Sequence, residues 1–235
     1  MCITLPRLTR AHRLLIFLVL VVALPIDMRL DLPGQVVLSV AIWAALLYVL
    51  ASFEIHERFT LWACLVIATA GELFLSLLWG LYTYRLGNIP FFIPPGHVML
   101  LILAISMAPR MPRLVADVIL GCAALYALVA AAVGIDTFAL PLLAFLAAVA
   151  INSPADRPLY ACTFLLALAL ELYGTWVGNW TWVNQVPVLP FVTTNPPGLV
   201  SAFYAVLDLL VACAALPFAR RFGSPSFENA ASVAR

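Results

Sequence analysis

Long apolar runs alternate along the chain with short polar or proline-containing breaks. A membrane-spanning helix needs about 20 apolar residues, and on that scale the pattern predicts eight spans. They cover residues 13–27, 34–53, 60–82, 96–109, 114–134, 137–153, 159–180 and 197–218. The fourth run is short and the fifth and sixth are barely separated, so seven or nine spans are the alternatives. The predicted fold class is all-α, a polytopic integral membrane protein.

Composition supports this prediction. Of 235 residues, 65% are hydrophobic and only 10% are charged, with a mean hydropathy of +1.09. Soluble domains carry about 25% charged residues, which excludes a soluble protein. The first apolar run lacks a small-x-small cleavage site, so we expect it to be retained as a helix.

The distribution of arginine predicts the orientation in the membrane. The chain has twelve arginines and no lysine. With a cytoplasmic N-terminus and eight spans, only Arg29 and Arg85 fall outside, whereas cytoplasmic loops normally carry the excess of basic residues. We therefore expect a multi-pass protein of the cell inner (cytoplasmic) membrane with both termini in the cytoplasm.

One motif occurs twice, at residues 72–98 and 171–200. Each copy reads Glu, then Gly-x-aromatic-Thr-aromatic with its Gly seven or eight positions after the Glu, a proline-rich loop, Pro-Pro-Gly and an apolar helix. From Glu72 to Gly96 is 24 residues, and from Glu171 to Gly198 is 27. Such internal similarity indicates a repeat architecture.

The motif copies lie four spans apart, so their helices run in the same direction. This predicts two parallel four-helix repeats related by a pseudo-twofold axis along the membrane normal. The first half would be residues 1–110, the second residues 111–222, and residues 223–235 a disordered tail.

Three acidic residues lie inside apolar runs: Glu72, Glu171 and Asp208. A carboxyl there is expected to face the protein interior and to be protonated or partnered. Small or hydroxyl residues follow both glutamates at helical spacing, so a close-packing seam is one interpretation. Repetition of the carboxyl in both halves favours a functional one, in which these residues and His97 act as acid, base or cation site.

Aromatic residues crowd the outer end of each motif copy. Part of this set is the aromatic belt of a membrane interface, and the remainder could wall a pocket for an apolar ligand or stabilise a cation. The candidate substrate-binding residues are Trp79, Tyr82, Tyr84, Trp176, Trp180, Trp182 and Asn195. The loops at 87–95 and 186–197 are too apolar for solvated connectors, and we expect them to form a lid in the outer leaflet.

Several classes of site are excluded by the residues present. There is no HExxH, histidine cluster or cysteine pair, so we expect no bound metal and no cofactor. There is no phosphate-binding glycine loop, and an apolar chain without lysine is not expected to bind nucleic acid. The expected partners are the bilayer and a hydrophobic, lipid-like small molecule. A homo-oligomer and a larger membrane complex are both compatible with the sequence.

These motifs resemble membrane-integral carotenoid-biosynthesis proteins of the bacterioruberin-type hydratase family. The matching residues span about sixty positions and are Glu72, Gly80, Tyr82, Tyr84, Gly178, Trp180, Trp182, Pro190 and Asn195. The chain departs from that family in its Pro-Pro-Gly-His sequence and in the second glutamate, Glu171. The resemblance implies cofactor-free chemistry on a polyene C=C bond, in which protonation is followed by water addition or ring closure.

Three functions fit the sequence. The first is an intramembrane enzyme that modifies an isoprenoid or carotenoid-like substrate, with Glu72 or Glu171 as proton donor. The second is a small proton-coupled transporter with pseudo-symmetric carboxyl sites. The third is a lipid- or pigment-binding accessory subunit of a membrane complex. An enzyme requires a lipid-accessible cavity and one decisive carboxyl, whereas a carrier requires both carboxyls and a wet path to each side.

Overall fold

The structure, a computed structural model, describes residues 8–222, with side chains as far as Ala215. The predicted disordered tail, 223–235, lies outside the described residues. The part of the chain that the structure describes is mainly helical, which confirms the all-α class. Its α-helices are α1 (Arg10–Asp27), α2 (Leu32–Leu50), α3 (Ile55–Glu72), α4 (Ile93–Met107), α5 (Arg113–Val133), α6 (Ala139–Asn152), α7 (Arg157–Val177) and α8 (Ala202–Phe222).

Five helical stretches are long and apolar enough to cross a membrane. They are 32–50, 55–78, 93–110, 113–133 and 154–177. Helix α6 and the apolar part of α8 are shorter, and α1 has 18 residues but carries Arg10, Arg13 and Asp27. Five such helices are compatible with the predicted multi-pass membrane protein.

Short polar signals set the helix ends. The Asp31 carboxylate accepts a hydrogen bond from the Gly34 amide at the start of α2, which is the usual role of an N-cap aspartate. Helix α7 ends at Gly178, whose φ of +99° lies in the left-handed region that glycine adopts without strain. This sharp end turns the chain back toward the helix it has just left.

Four helices form the centre of the molecule. Helix α3 packs on α4 and α8, and α7 packs on the same two helices. Helices α1 and α2 pack together on one side of this group, and α5 and α6 pack together on the other. Since α3 carries Glu72 and α7 carries Glu171, both carboxyls are buried between the central helices.

The region after α3 differs from a plain helix. Leu73–Leu78 is π-helical, and the short strand β1 (Tyr82–Tyr84) follows it. After α7 comes strand β2 (Trp180–Trp182), which pairs antiparallel with β1. The sequence analysis did not predict these strands, because three residues are too few for a recognisable alternation of apolar and polar side chains.

Both proline-rich loops fold back against the helices. Phe92 of the first loop and Val186 of the second are buried, whereas Phe91 and Val188 are exposed. Phe92 lies at the start of α4 and lines the same cavity as Tyr82 and Tyr84 of β1. The inward fold brings the start of α4 close to Glu72.

Candidate active site

Glu72 ends α3 and accepts two short hydrogen bonds. The hydroxyls of Tyr82 and Tyr84 donate to its Oε2 atom, at 2.8 and 2.6 Å. Both tyrosines are on β1 and point to the same face, since side chains alternate along a strand. Ser76 supports this arrangement by donating its hydroxyl to the carbonyl oxygen of Tyr82, at 3.1 Å.

Glu171 in α7 has a matching set of donors. The indole N–H groups of Trp180 and Trp182 donate to its Oε2 atom at 2.8 and 3.2 Å, and the Tyr204 hydroxyl donates to Oε1 at 2.8 Å. An indole N–H can only donate, so Oε2 acts as a double acceptor. Burial disfavours the charge of a carboxylate and donated hydrogen bonds favour it, so the three donors offset part of the cost of burying Glu171.

The strand pairing relates the two glutamates by a local twofold axis. Tyr82 pairs with Trp182 and Tyr84 with Trp180, with Thr83 opposite Thr181 at the centre. In the motif Tyr82 corresponds to Trp180 and Tyr84 to Trp182. Exchanging the two copies therefore turns each pair into the other, which places the local axis at the Thr83–Thr181 pair.

The π-helical segment compensates for a difference in length between the copies. Tyr82 and Tyr84 lie 10 and 12 residues after Glu72, whereas Trp180 and Trp182 lie 9 and 11 residues after Glu171. A π turn accommodates one extra residue in a helix. The insertion is absorbed between Glu72 and the strand, so both carboxyls meet their aromatic donors in the same way.

His97 joins the two halves of the site. Its Nε2 atom lies 3.5 Å from Glu72 Oε1, and its ring stacks on that of Tyr204 with a centroid distance of 5.0 Å and an interplanar angle of 9°. The inward fold of the first proline-rich loop brings His97, a predicted site residue, within reach of Glu72.

Hydrogen bonding defines where protons lie around Glu72. His97 Nδ1 is 3.1 Å from the carbonyl oxygen of Ile93, and because a carbonyl only accepts, Nδ1 carries a proton. His97 Nε2 then faces Glu72 Oε1 at 3.5 Å, so the lone pair of the ring nitrogen and a carboxyl oxygen are presented to each other. Burial, and then the Glu72 charge, raise the pKa of Tyr82 and of Tyr84 well above the ordinary tyrosine value, so both remain neutral donors.

The carboxyl layer faces apolar cavities on two sides. A chamber of about 430 Å³ lies between α3, α6 and α8, and Glu72, His97 and Glu171 are part of its wall. A narrower cavity of about 50 Å³ lies on the α1 and α4 side and is lined by the same three residues. Most other wall residues are aliphatic or aromatic, so a bound molecule would contact the carboxyls within an apolar environment.

The other candidate residues have different positions. Asp208 is buried and accepts a hydrogen bond from the Thr163 hydroxyl at 2.7 Å, two helical turns from Glu171. Trp79 lines the larger chamber and donates to the carbonyl oxygen of Pro187. Trp176 lies on the outer surface of α7 with 82% of its area exposed.

Asn195 supports the site without touching either carboxyl in a hydrogen bond. Its side-chain oxygen accepts a hydrogen bond from the Trp182 backbone amide at 2.9 Å. It therefore holds β2 in place and positions the Trp182 indole. This is a positioning role within the predicted substrate-binding set.

Two features of the site were missed at the sequence level. Tyr204 is one aromatic residue in the apolar run of α8. Its spacing from Gly198 was the only sequence signal for a position near Glu171. The second is a buried polar cluster around Asp27, which accepts hydrogen bonds from Gln35 at 2.7 Å and Asn179 at 2.9 Å. Arg85 also donates to the Asp27 carbonyl oxygen.

The Asp27 cluster anchors both strands. Arg85 directly follows β1 and Asn179 directly precedes β2, and the Arg85 amide donates to the Asn179 carbonyl oxygen at 2.9 Å. The position of Asp27 at the end of an apolar run was the available signal, but helix-end aspartates are common.

Among the described residues, no group of three or more His, Cys, Asp and Glu side chains could hold a metal ion.

Comparison with known proteins adds no relative to this description. No protein-family model, curated protein or solved structure matches the chain.

Proposed function

We propose that the protein is an intramembrane enzyme that modifies a hydrophobic isoprenoid or carotenoid-like substrate by acid-initiated chemistry at a C=C bond. One observation carries this proposal: two buried carboxyls with different hydrogen-bonding partners face the same apolar chamber of about 430 Å³. A site for a polar solute would need more hydrogen-bonding groups in its wall. The resemblance to carotenoid hydratases points to the same chemistry.

Glu72 and His97 are suited to supply the proton. A proton placed between Glu72 Oε1 and His97 Nε2, which face each other at 3.5 Å, would be available for transfer, whereas Glu171 Oε2 is occupied by two indole donors. Transfer of this proton to one alkene carbon uses the π electron pair to form a C–H bond. The neighbouring carbon becomes a carbocation.

Glu171 and the aromatic faces are suited to stabilise that cation. A carboxylate and π systems in an apolar site interact strongly with positive charge. The cation is discharged when water attacks it and returns a proton to a carboxylate, for a net addition of water. Alternatively, an adjacent C–H bond loses its proton to the carboxylate and the double bond moves.

We further propose that the helices form two parallel four-helix halves, residues 1–110 and 111–222, with eight spans in the cytoplasmic membrane and both termini in the cytoplasm. The local axis between β1 and β2 supports this arrangement, because it relates α3 to α7. The equivalent packing of α3 on α8 and of α7 on α4 agrees with it.

Mass spectrometry of lipid and pigment extracts tests the enzymatic function. Cells that express the wild type should contain an isoprenoid whose mass differs by one water, or an isomer, relative to cells with empty vector. Glu72→Gln and Glu171→Gln should each abolish this product, because the first removes the proton donor and the second the anionic charge. Asp117→Asn changes an exposed carboxyl of α5 and is the matched control.

Other outcomes would point to the remaining functions. Identical extracts from wild type and empty vector would overturn the enzymatic proposal. Proton-coupled flux in proteoliposomes that is lost in both glutamate variants would then identify a carrier. Tight binding of an unmodified pigment would identify an accessory subunit.

A further inference from the structure

A third apolar cavity lies on the opposite side of the carboxyl layer from the large chamber. It is a groove of about 310 Å³ between α1, α4 and α7, lined by Phe17, Leu103, Ala169 and Tyr173 among others. Aliphatic and aromatic residues make up its wall. Its outer side is formed by exposed residues such as Phe17, so it opens toward the lipid.

The groove continues to the carboxyls. Leu20, Leu100 and Leu170 line both the groove and the narrow cavity of about 50 Å³ beside Glu72 and Glu171. The narrow cavity in turn shares its carboxyl wall with the large chamber. This apolar path is a series of three cavities that share lining residues: the groove, the narrow cavity beside both carboxyls, and the chamber between α3, α6 and α8.

The two ends of this path are built from equivalent positions in the two motif copies. Helix α3 lines the chamber and helix α7 lines the groove. On each helix the lining residues include positions −5, −2, −1 and +2 relative to the glutamate. The pairs are Ile67 with Leu166, Ala70 with Ala169, Gly71 with Leu170, and Phe74 with Tyr173. The groove and the chamber thus use equivalent positions of α7 and α3, whereas the third helix is α1 beside the groove and α6 beside the chamber.

We infer that the substrate is an acyclic isoprenoid with a long apolar arm on each side of its reacting double bond. One arm occupies the groove between α1, α4 and α7, and the other occupies the chamber between α3, α6 and α8. The reacting bond is then internal to the chain and lies between Glu72 and Glu171. This inference rests on the proposed function and specifies the substrate class of the same site.

Two equivalent alanines allow each arm to be blocked separately. Ala169 lines only the groove and Ala70 only the chamber, and both are exposed positions on helix surfaces. Phenylalanine at either position fills its cavity without disturbing the carboxyl layer. Ala132→Phe, at an exposed position of α5, is the matched control for an added ring on the lipid-facing surface.

The measurement is the binding of two polyenes to the purified protein in detergent. Binding is detected as energy transfer from the protein's tryptophans to the bound polyene. The probes are lycopene, an acyclic C40 chain, and retinol, which has half as many carbons. Ala169→Phe and Ala70→Phe should each weaken lycopene binding by at least about tenfold, since added bulk in occupied space is strongly unfavourable. Ala132→Phe should not change it, and retinol should be affected by no more than one of the two blocking variants.

The outcomes separate this inference from the proposed function. If only one blocking variant weakens lycopene binding, the substrate has a single arm in the protein and the inference is wrong, while the function stands. If lycopene binding is unchanged in both variants, the groove holds membrane lipid and the inference is wrong. If no polyene binds the wild type, the proposed function fails together with the inference.

Discussion

Gly174→Ala tests whether the indole donors control Glu171. A Cβ atom at Gly174 would lie 2.1 Å from the Trp180 ring, well inside the normal contact distance of about 3.5–4.0 Å between carbon atoms. Trp180 is buried and its indole N–H donates to Glu171 Oε2 at 2.8 Å. The ring would have to move by more than about 1 Å, which takes this N–H beyond the usual hydrogen-bond range of about 2.7–3.2 Å.

Two effects then oppose each other. Alanine has the higher helix propensity and stabilises a helix interior by up to about 1 kcal/mol relative to glycine. Overpacking costs typically about 1–3 kcal/mol, and loss of a hydrogen bond to a charged group costs about 1.5–3 kcal/mol. The unfavourable effects are larger, so we expect a net loss of about 1.5–5 kcal/mol.

Thermal unfolding in detergent and product formation measure this loss. The Tm should fall by several degrees, at about 2–4 °C per kcal/mol for a chain of this size. Product formation should fall at least about tenfold if the Trp180 donor stabilises the reacting charge. Gly121→Ala is the control, since a Cβ there meets nothing within 4 Å and should be neutral or slightly stabilising. Wild-type stability and turnover in Gly174→Ala would refute the reasoning.

Two further predictions concern the support of the site. Asp27→Ala removes the acceptor of two buried side-chain amides and should reduce the free energy of unfolding by about 1–3 kcal/mol for each orphaned donor. Asp117→Ala, at an exposed position, should cost little and is the control. Chemical denaturation measures both variants, and equal effects would contradict the anchoring role of Asp27. The folded-state pKa of Tyr82 and of Tyr84 lies above the ordinary value. The contribution of these two tyrosines to the free energy of unfolding should therefore be complete below pH about 10 and decrease as the pH rises above it. A Tyr82→Phe, Tyr84→Phe double variant whose stability falls equally at alkaline pH would contradict this assignment.

The sequence was informative where physical constraints are local. Residue type and spacing identified both motif copies, the buried glutamates and most of the aromatics, because a carboxyl in an apolar run is costly and therefore conspicuous. Gly174 was assigned to a close-packing seam, and the structure shows that the residue packed there is Trp180. The contact partner could not be predicted, because it depends on a strand that follows the helix by only a few residues.

Long-range features were beyond the sequence for a different reason. Tyr204 reaches Glu171 from 33 residues away, and the Asp27 carboxylate receives a hydrogen bond from Asn179 across 152 residues. A one-residue difference in motif spacing is equally consistent with a shifted register and with a π turn. Only the observed pairing of β1 with β2 distinguishes these alternatives, since it requires the carboxyl-to-aromatic geometry to be the same in both copies.

The departure from symmetry gives the two glutamates unlike surroundings. The local twofold axis of the strand pair relates their aromatic donors, and identical environments would give both carboxyls the same affinity for a proton. His97 has no counterpart in the second copy, where Leu199 occupies the position after Pro-Pro-Gly, and Glu171 instead receives the Tyr204 hydroxyl. One carboxyl therefore faces an imidazole, while the other accepts hydrogen bonds from three donors. Acid and base roles divide when two like groups are placed in unlike environments, and the proposed enzymatic function relies on this difference.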